Sequence, residues 1–297
     1  MTDIRDDLPS LSVIIPTYNA AGFLAATLES IRRQDVQRIE VILADGGSSD
    51  ATVEIAKQFD ALDIKILSEP DKGQLDALQK GIRMATSDVL VWINGDDIVM
   101  PNAFRTALAA LQEDGSIDFV YADNAAFSEE KRELYYGATI RGLNDWDHLL
   151  FYRQLYSECV YWRKHITKFL PDDSFDLRVY TDYAFFLNLR WGRKGRWIPK
   201  RLGAFRIRDG QASATFSQRK LIEYHRVKRE HIARLGLSPG LLRAARIPYW
   251  PYFTLRQRAW PAVDRGLRKL RRLITRDRDR IRESSVFFLE WLKASEN

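Results

Sequence analysis

Over the first 125 residues, short β-branched runs alternate with stretches in which apolar residues recur every three or four positions. Leu11-Ser-Val-Ile-Ile15 reads as a buried strand ended by Pro16, and residues 22–34 carry Phe23, Leu24, Leu28 and Ile31 at helical spacing. The unit then repeats. Residues 39–44 predict a strand followed by a helix over 51–59, capped by Ser49 or Asp50; residues 64–67 predict a strand followed by a helix over 74–85. A strand over 89–93, a helix over 101–112 whose Pro101 suits the first turn, and a strand over 119–121 come next. Strands joined through single helices need right-handed crossovers, which gives an α/β fold with a mostly parallel sheet covered on both faces.

Beyond Asp123 the rhythm breaks. Aromatic-rich irregular stretches surround one clear helix over 182–191. Three more helices are expected near 218–235, 262–280 and 281–293, the first two separated by Pro248-Tyr-Trp-Pro-Tyr-Phe253. Charge divides the chain as well. Residues 1–217 hold 26 Lys+Arg and 32 Asp+Glu, whereas residues 218–282 hold 19 and 5, so the net charge of +6 hides an acidic body with a strongly basic tail. At 297 residues and 45% hydrophobic there is ample core for one large α/β domain or two smaller ones. The single Cys159 excludes a disulfide framework and a Cys-rich zinc module, and points to a reducing compartment. The charged start, Met1-Thr-Asp-Ile-Arg-Asp-Asp, has no apolar centre, and no run of about 18 apolar residues occurs, so neither a signal peptide nor a spanning helix is expected and the location reads as cytoplasmic.

In an open parallel sheet, ligands bind beyond the carboxyl ends of the strands, so the residues leaving each strand carry the functional reading. Strand one exits into Pro16-Thr-Tyr-Asn19, strand two into Asp45-Gly-Gly-Ser-Ser-Asp50, strand three into Glu69-Pro-Asp-Lys-Gly-Gln74 and strand four into Asn94-Gly-Asp-Asp97. Each alone reads equally as a turn or a helix cap. Asp96 and Asp97 differ in kind. Adjacent carboxylates repel unless something positive lies near, and hard oxygen ligands suit Mg2+ or Mn2+, which would bridge to phosphate oxygens; a surface turn is the alternative.

In order and spacing, over residues 10–215, these motifs resemble the family 2 glycosyltransferases of the GT-A fold. Leu11 to Asn19 is similar to their opening strand and turn, residues 44–50 to the Asp-Gly-Ser element that holds the nucleoside, residues 69–82 to the segment lining the diphosphate, and Trp92-Ile-Asn-Gly-Asp-Asp97 to the metal-binding Asp-x-Asp motif. Ser157-Glu-Cys-Val-Tyr-Trp-Arg163 and Val179-Tyr-Thr-Asp-Tyr-Ala-Phe-Phe186 resemble the acceptor-side segments. The resemblance implies a metal-dependent, inverting transfer of a sugar from a nucleoside diphosphate, UDP favoured, to a hydroxyl of a saccharide or lipid-linked acceptor in surface polysaccharide or glycolipid synthesis. It implies that Pro16, Thr17, Tyr18, Asn19, Asp45, Gly46, Ser48, Lys72, Gly73, Asp76, Asn94 and Asp96 line the nucleotide and that Asp96 and Asp97 hold Mn2+ or Mg2+. Asp182 becomes the base that takes the acceptor proton, and Glu158, Trp162 and Tyr183 meet the acceptor. The chain then divides into a nucleotide-sugar-binding half at 1–125, an acceptor half at 126–217 and a basic, aromatic-rich helical tail at 218–297.

Two positions depart from the family pattern. Asn94 stands where many members place the first Asp, and Arg208 where relatives often have His. A guanidinium cannot ligate a metal, so Arg208 is expected at phosphate as a forked donor. Blander roles stay open for individual residues: Asp182 suits an N-cap, Glu158 could pair with Arg163, and Trp162 fits a core. A nucleotidyltransferase would need Arg and Lys after strand one, and residues 16–22 carry no charge. A nucleic-acid-binding protein would account for the tail but leave the acidic body unexplained, so nucleic acid is not the expected partner. The tail's Val263, Leu267, Leu270 and Ile274 recur at helical spacing, flanked by Arg265, Arg268, Lys269, Arg271 and Arg272. That pattern predicts an interfacial helix on an anionic membrane, with packing on the catalytic domain or on a second subunit of a homo-oligomer as the alternatives.

Overall fold

The computed structural model of the chain describes residues 8–130, 133–136, 140–151, 155–170, 177, 179–208 and 218–238. The expected series opens it: β1 (Leu11–Thr17), α1 (Ala21–Arg32), β2 (Ile39–Asp45), α2 (Thr52–Lys57), β3 (Ile64–Ser68), α3 (Gln74–Met84) and β4 (Val89–Trp92). Then come β5 (Ile98–Val99), α4 (Ala103–Glu113), β6 (Phe119–Ser128), β7 (Glu133–Tyr136), α5 (Asp145–Phe151), β8 (Val160–Arg163), α6 (Thr181–Arg190), β9 (Gly195–Arg206) and α7 (Gln218–Arg234). The helices expected near 262–280 and 281–293 and the aromatic segment 248–253 lie outside the described residues. Two compact units, Met1–Val227 and Lys228–Asn297, meet inside α7; the site described below belongs to the first.

Among the described residues, nine strands form one sheet in the order β3-β2-β1-β4-β8-β6-β9-β5, with β7 paired to β6. β1 to β4 run parallel to one another, as the alternation of strand and helix requires. Past β4 the sheet is mixed, because β8 runs antiparallel to both β4 and β6 while β6 and β9 run parallel. β6 also extends well beyond the 119–121 strand expected, through the turn-like Ala122-Asp-Asn. The register against β9 shifts on both sides of Asp123, so Pro199 and Lys200 fall between the partners of Ala122 and Asp123. The buried Asp123 carboxylate accepts from Trp197 Nε1 (3.1 Å) and Ile140 N (3.0 Å), which makes a polar residue tolerable inside the strand.

Helices cover both faces. On one, Leu24, Leu28 and Ile31 of α1 and Phe104, Leu108 and Leu111 of α4 pack with Val13, Ile15, Val41 and Val91. On the other, α3 approaches β1 so closely that a side chain at Gly81 would collide with Ile14. There Trp92 and Trp162 meet Phe185 and Phe186 ring to ring at 5.5–6.2 Å, which fixes α6 to the sheet. The parallel register carries a further consequence: Thr17 pairs with Asp45, and Asp45 with Ser68, so three polar side chains stand in a row where β1, β2 and β3 end.

Glu40 closes the opposite edge of the sheet. Its carboxylate accepts from Ser12 Oγ, Lys65 Nζ (2.6 Å), Thr86 N (2.6 Å) and Ser87 N (3.1 Å), tying β1, β2 and β3 to the turn before β4. Burial alone would raise its pKa, but the hydrogen bonds from Lys65, Ser12 and Thr86 outweigh that and hold it at about 2, against 4.5 unperturbed. Because the folded value is the lower, the stabilisation is full above pH 4.5 and is lost as the pH falls towards 2. Glu40→Gln is expected to lower the unfolding free energy near neutrality by about 2–3 kcal/mol. In urea titrations the gap to wild type should close between pH 4.5 and 2; a constant gap across that window would contradict this role.

Candidate active site

The first two strand exits are knitted together. Asp45 accepts from Thr17 Oγ1 (3.5 Å), Ser68 Oγ (2.7 Å), Ser48 N (2.9 Å), Gly47 N (3.2 Å) and Ser48 Oγ. Asn19, in the left-handed region at φ 50°, donates its N–H to Ser48 Oγ (2.8 Å) and accepts from Ser49 N (2.9 Å). Asp50 serves two helices. One oxygen accepts from Thr52 N at the start of α2 and the other from Ala21 N at the start of α1, both at 3.0 Å; the N-cap position of α2 itself is Ala51, not Ser49 or Asp50. Pro16 is buried within β1 opposite Ala44. Tyr18 is left 67% exposed above these loops. Gly46 leaves room for Asp71, whose carboxylate lies 2.5 Å from where a β-carbon on Gly46 would be.

The third exit leads to the amino end of α3. Gly73 takes φ 121°, which favours glycine, and its N–H bonds Asp71 Oδ1 (2.7 Å). Lys72 is exposed, and Asp76 accepts from Lys72 N (3.1 Å) while pairing with Lys80 (3.4 Å). Gln74, which the sequence reading passed over, donates to Asn94 Oδ1 at 2.8 Å.

That bond brings the fourth exit into the same cleft and explains its departure from the family pattern. Asn94 Oδ1 also accepts from Trp92 Nε1 (2.8 Å), and Asn94 Nδ2 donates to Asp97 Oδ2 (2.8 Å). An aspartate here would have no proton to donate and would set one carboxylate against another. Thr27 Oγ1 lies 2.8 Å from Asp97 O and 3.0 Å from Gly95 O, and a β-carbon on Gly95 would sit 2.6 Å from Thr17 Cγ2. Arg206 holds the loop from β9: its N–H bonds Asp97 Oδ1 (3.1 Å) and its Nε bonds Asp96 O (2.7 Å). The two aspartates expected to share a metal are thereby separated. Asp97 is fully buried, and burial, reinforced by the charges of Glu158 and Asp96, pushes its carboxyl well above the usual range. Asp96 turns outward, with Arg208 Nε 3.1 Å from its Oδ2.

The acceptor-side segments reach this cleft from the other half of the sheet. Glu158 sits in a 3-10 turn at Ser157–Cys159, buried, in space that a side chain at Gly203 would fill. Among the described residues its Oε1 has no hydrogen-bond partner. Burial first, and then the charges of Asp182 and Asp96, raise its carboxyl to about 7. Arg163, the alternative partner for Glu158, instead bonds the carbonyls of Ile117 (2.8 Å) and Leu111 (2.6 Å). Asp182 lies in the first turn of α6, one place past Thr181, so Tyr180 holds the N-cap position instead. The start of that helix is tied down by Glu223 of α7, which accepts from Val179 N (3.0 Å) and Tyr180 N (3.3 Å). Tyr156 was not foreseen. Burial and the charges of Glu158 and Asp182 raise its phenol, placing it among these acids; its nearness to Glu158 in the chain was the one available hint. Trp162 and Tyr183, expected on the acceptor surface, are instead fully buried. Trp162 packs on Phe185 and Phe186, and the Tyr183 hydroxyl donates to His148 O (3.0 Å). They hold β8 and α6 from behind.

No three His, Cys, Asp or Glu side chains among the described residues gather into a group that would hold a metal alone. The one outward carboxylate fits Mg2+ or Mn2+ in the way those ions commonly bind, through one or two carboxylates with substrate phosphates and water completing the shell.

Residues 12–169 match the family described as Glycosyl transferase family 2. A PGL/p-HBAD biosynthesis glycosyltransferase of Mycobacterium tuberculosis is 32% identical over 181 residues, 60% of this chain and 68% of that protein. Glycosyltransferase GlyG of Streptococcus pneumoniae is 32% identical over 132 residues, 43% of this chain and 44% of that one. Among solved structures, S. aureus TarS 1-349 in complex with UDP-GlcNAc aligns with a TM-score of 0.59 at 19% identity, covering 78% of this chain and 69% of that one. The mannosyltransferase PcManGT from Pyrobaculum calidifontis, in complex with GDP-Man and Mn2+, aligns at 0.54 and 16% identity, covering 96% and 86%. At such identities the likeness concerns the fold, which is of the GT-A type.

The two aspartates should separate by experiment. Asp97→Ala strands the Arg206 N–H and Asn94 Nδ2 in a buried place and is expected to cost about 2–3 kcal/mol in urea unfolding. Asp96→Ala removes a partly exposed pair and should cost about 0.5 kcal/mol or less. Equal losses, or the larger loss at Asp96, would contradict the inward and outward assignment.

Proposed function

The chain belongs to glycosyltransferase family 2, and on that premise we propose that it moves a sugar, with inversion, from a nucleoside diphosphate to a hydroxyl of a saccharide or lipid-linked acceptor. The observation that carries this reading is that Asp96 and Asp182, from the two halves of the chain, both act on the buried Glu158 carboxyl. A carboxylate from each half of the chain thus lies within electrostatic reach of one buried acid, and Asn94 Nδ2 donates to Ser157 Oγ (3.4 Å), joining the fourth strand exit to the segment that carries Glu158. The exposed Tyr18 ring and the braced Asp45 loop, with Gly46 and Ser48, suit a nucleoside; the amino end of α3, with Lys72 and Gly73, suits its diphosphate. The solved neighbours hold UDP-GlcNAc and GDP-Man, which supports a nucleotide-sugar donor; the choice of UDP is our proposal from the family resemblance alone. Residues 1–125 would serve the donor and 126–217 the acceptor, with β6 crossing between them.

The acceptor oxygen attacks the anomeric carbon opposite the diphosphate. The carbon–oxygen bond to the diphosphate breaks with its electron pair, and Asp182 takes the acceptor proton. A divalent cation, held by Asp96, supplies positive charge for the departing diphosphate when bound. Glu158 Oε1, lacking a partner among the described residues, is the group we assign to an acceptor hydroxyl. With the family established, the nucleotidyltransferase and nucleic-acid readings are set aside.

Past residue 238 the basic tail lies outside the described residues, and its proposed role rests on its sequence. Nineteen Lys and Arg among residues 218–282, with Trp260 and the 248–253 aromatics, suit docking on an anionic membrane from the cytoplasmic side, where a lipid-linked acceptor would be met. No helix among the described residues is long and apolar enough to cross a membrane.

Asp182→Asn keeps the shape and cannot take a proton. Its turnover with a UDP-sugar and acceptor extract is expected to fall by about a hundredfold or more while donor affinity, measured by calorimetry, stays within about twofold. Turnover above about a tenth of wild type would place the base elsewhere. In flotation, vesicles of anionic lipid should retain the full chain and release a chain stopped at Ser217; equal partitioning of the two would remove the membrane role.

A further inference from the structure

The acids of the cleft raise a question that the reaction alone does not answer: what balances Asp96 before a donor arrives. Four carboxyl groups gather here: the charges of Glu158 and Asp96 act on Asp97, and those of Asp182 and Asp96 on Glu158. Two arginines leave the end of β9 beside them. Arg206 is buried and held in place: it pairs with Glu129, bonds Asp96 O and stacks over Phe127 at 4.7 Å. Arg208 is different. Its root is fixed, because the strand just before it is pinned to Asp97 through Arg206 N and its neighbour Ile207 N bonds Phe127 O (2.7 Å). Its head is 41% exposed, lies over the Phe23 ring at 4.8 Å, and reaches Asp96 Oδ2 at 3.1 Å. A single charged group therefore sits on the outward carboxylate oxygen that a divalent cation would need.

Taking Asp96 as the carboxylate that meets the cation, as proposed above, we infer that Arg208 is its built-in counterion, holding Asp96 in the donor-free protein and competing there with a divalent cation. A cation arriving alone must displace the guanidinium and then share the cleft with it, charge against charge. A cation arriving with a diphosphate meets a different situation, since the displaced guanidinium finds a new anionic partner in the phosphates. The arrangement ties cation binding to donor binding. It also gives the Arg at this position a function that a metal-ligating residue would not have. The fixed root and the Phe23 ring under the guanidinium keep the head beside Asp96, so the exchange needs only side-chain rotation.

The test uses Mn2+ alone, with no nucleotide, titrated into the full chain and followed by electron paramagnetic resonance. Arg208→Gln is expected to bind Mn2+ about fivefold more tightly than wild type, the scale of a half-exposed ion pair. Arg208→Met, which replaces the charged head with an apolar one that can still pack on Phe23, should show the same gain. Adding Asp96→Asn to either variant should abolish it. Mn2+ affinity that is unchanged or weaker in both Arg208 variants would overturn the inference, and so would a gain that survives Asp96→Asn. The donor reading is judged separately, by UDP and GDP binding to the wild-type protein, so either can fail without the other.

Discussion

The Asp97 carboxyl is sealed from water, and satisfying it orders the loop around it. A buried acid needs donors, and here they come from two directions: Asn94 from within the loop and the Arg206 N–H from β9. Meeting that demand closes β9 against the strand exit, sets β5 against β9 (Ile98 opposite Ala204) and turns the next carboxylate, Asp96, the other way. Asn94 in turn recruits Trp92 and Gln74, so strand β4, helix α3 and the outer strand share one polar node. Loosening Asp97 would therefore release several elements together.

The same logic recurs through the donor side. Few of the polar residues there point idle side chains at a prospective ligand. Asp45 takes five donors from its own surroundings, and Asn19 and Asp50 spend their oxygens on backbone N–H groups of neighbouring loops. These bonds hold the crevice in shape before anything enters it, which lowers the ordering cost of binding. What is left for a ligand is small: an exposed tyrosine ring, the amino end of a helix, one outward carboxylate and the guanidinium beside it.

Much of this was legible in the sequence. The alternation of apolar runs and helical spacing located β1 to β4 and their helices, because β1, β2 and β4 are buried on both faces and each helix carries a single apolar stripe. The strand exits pointed to the cleft because turns that also bear chemistry concentrate polar residues at fixed places. The second half was less legible. β6 runs through Asp123 and Asn124, which look like a turn until Trp197 and Ile140, distant in the chain, satisfy the Asp123 carboxylate. β9 contains a proline, and only the register shift makes room for it. The sequence shows that Asp96 and Asp97 are adjacent but not which faces inward, since that depends on Arg206, more than a hundred residues away. Likewise Trp162 and Tyr183 have the chemistry of sugar contacts, yet the packing of α6 on β8 takes them into the core.

The central claim is that Asp96, and not Asp97, presents its carboxylate to the donor's cation, in a cleft that Asp182 faces from the acceptor side. The most direct measurement is an anomalous difference map from crystals soaked with Mn2+ and UDP. The account predicts one peak on the Asp96 carboxylate, joined to the diphosphate oxygens, with Asp97 still bonded to Asn94 and Arg206 N. A manganese peak ligated by Asp97, or a nucleotide bound away from the β1, β2 and β4 exits, would contradict it.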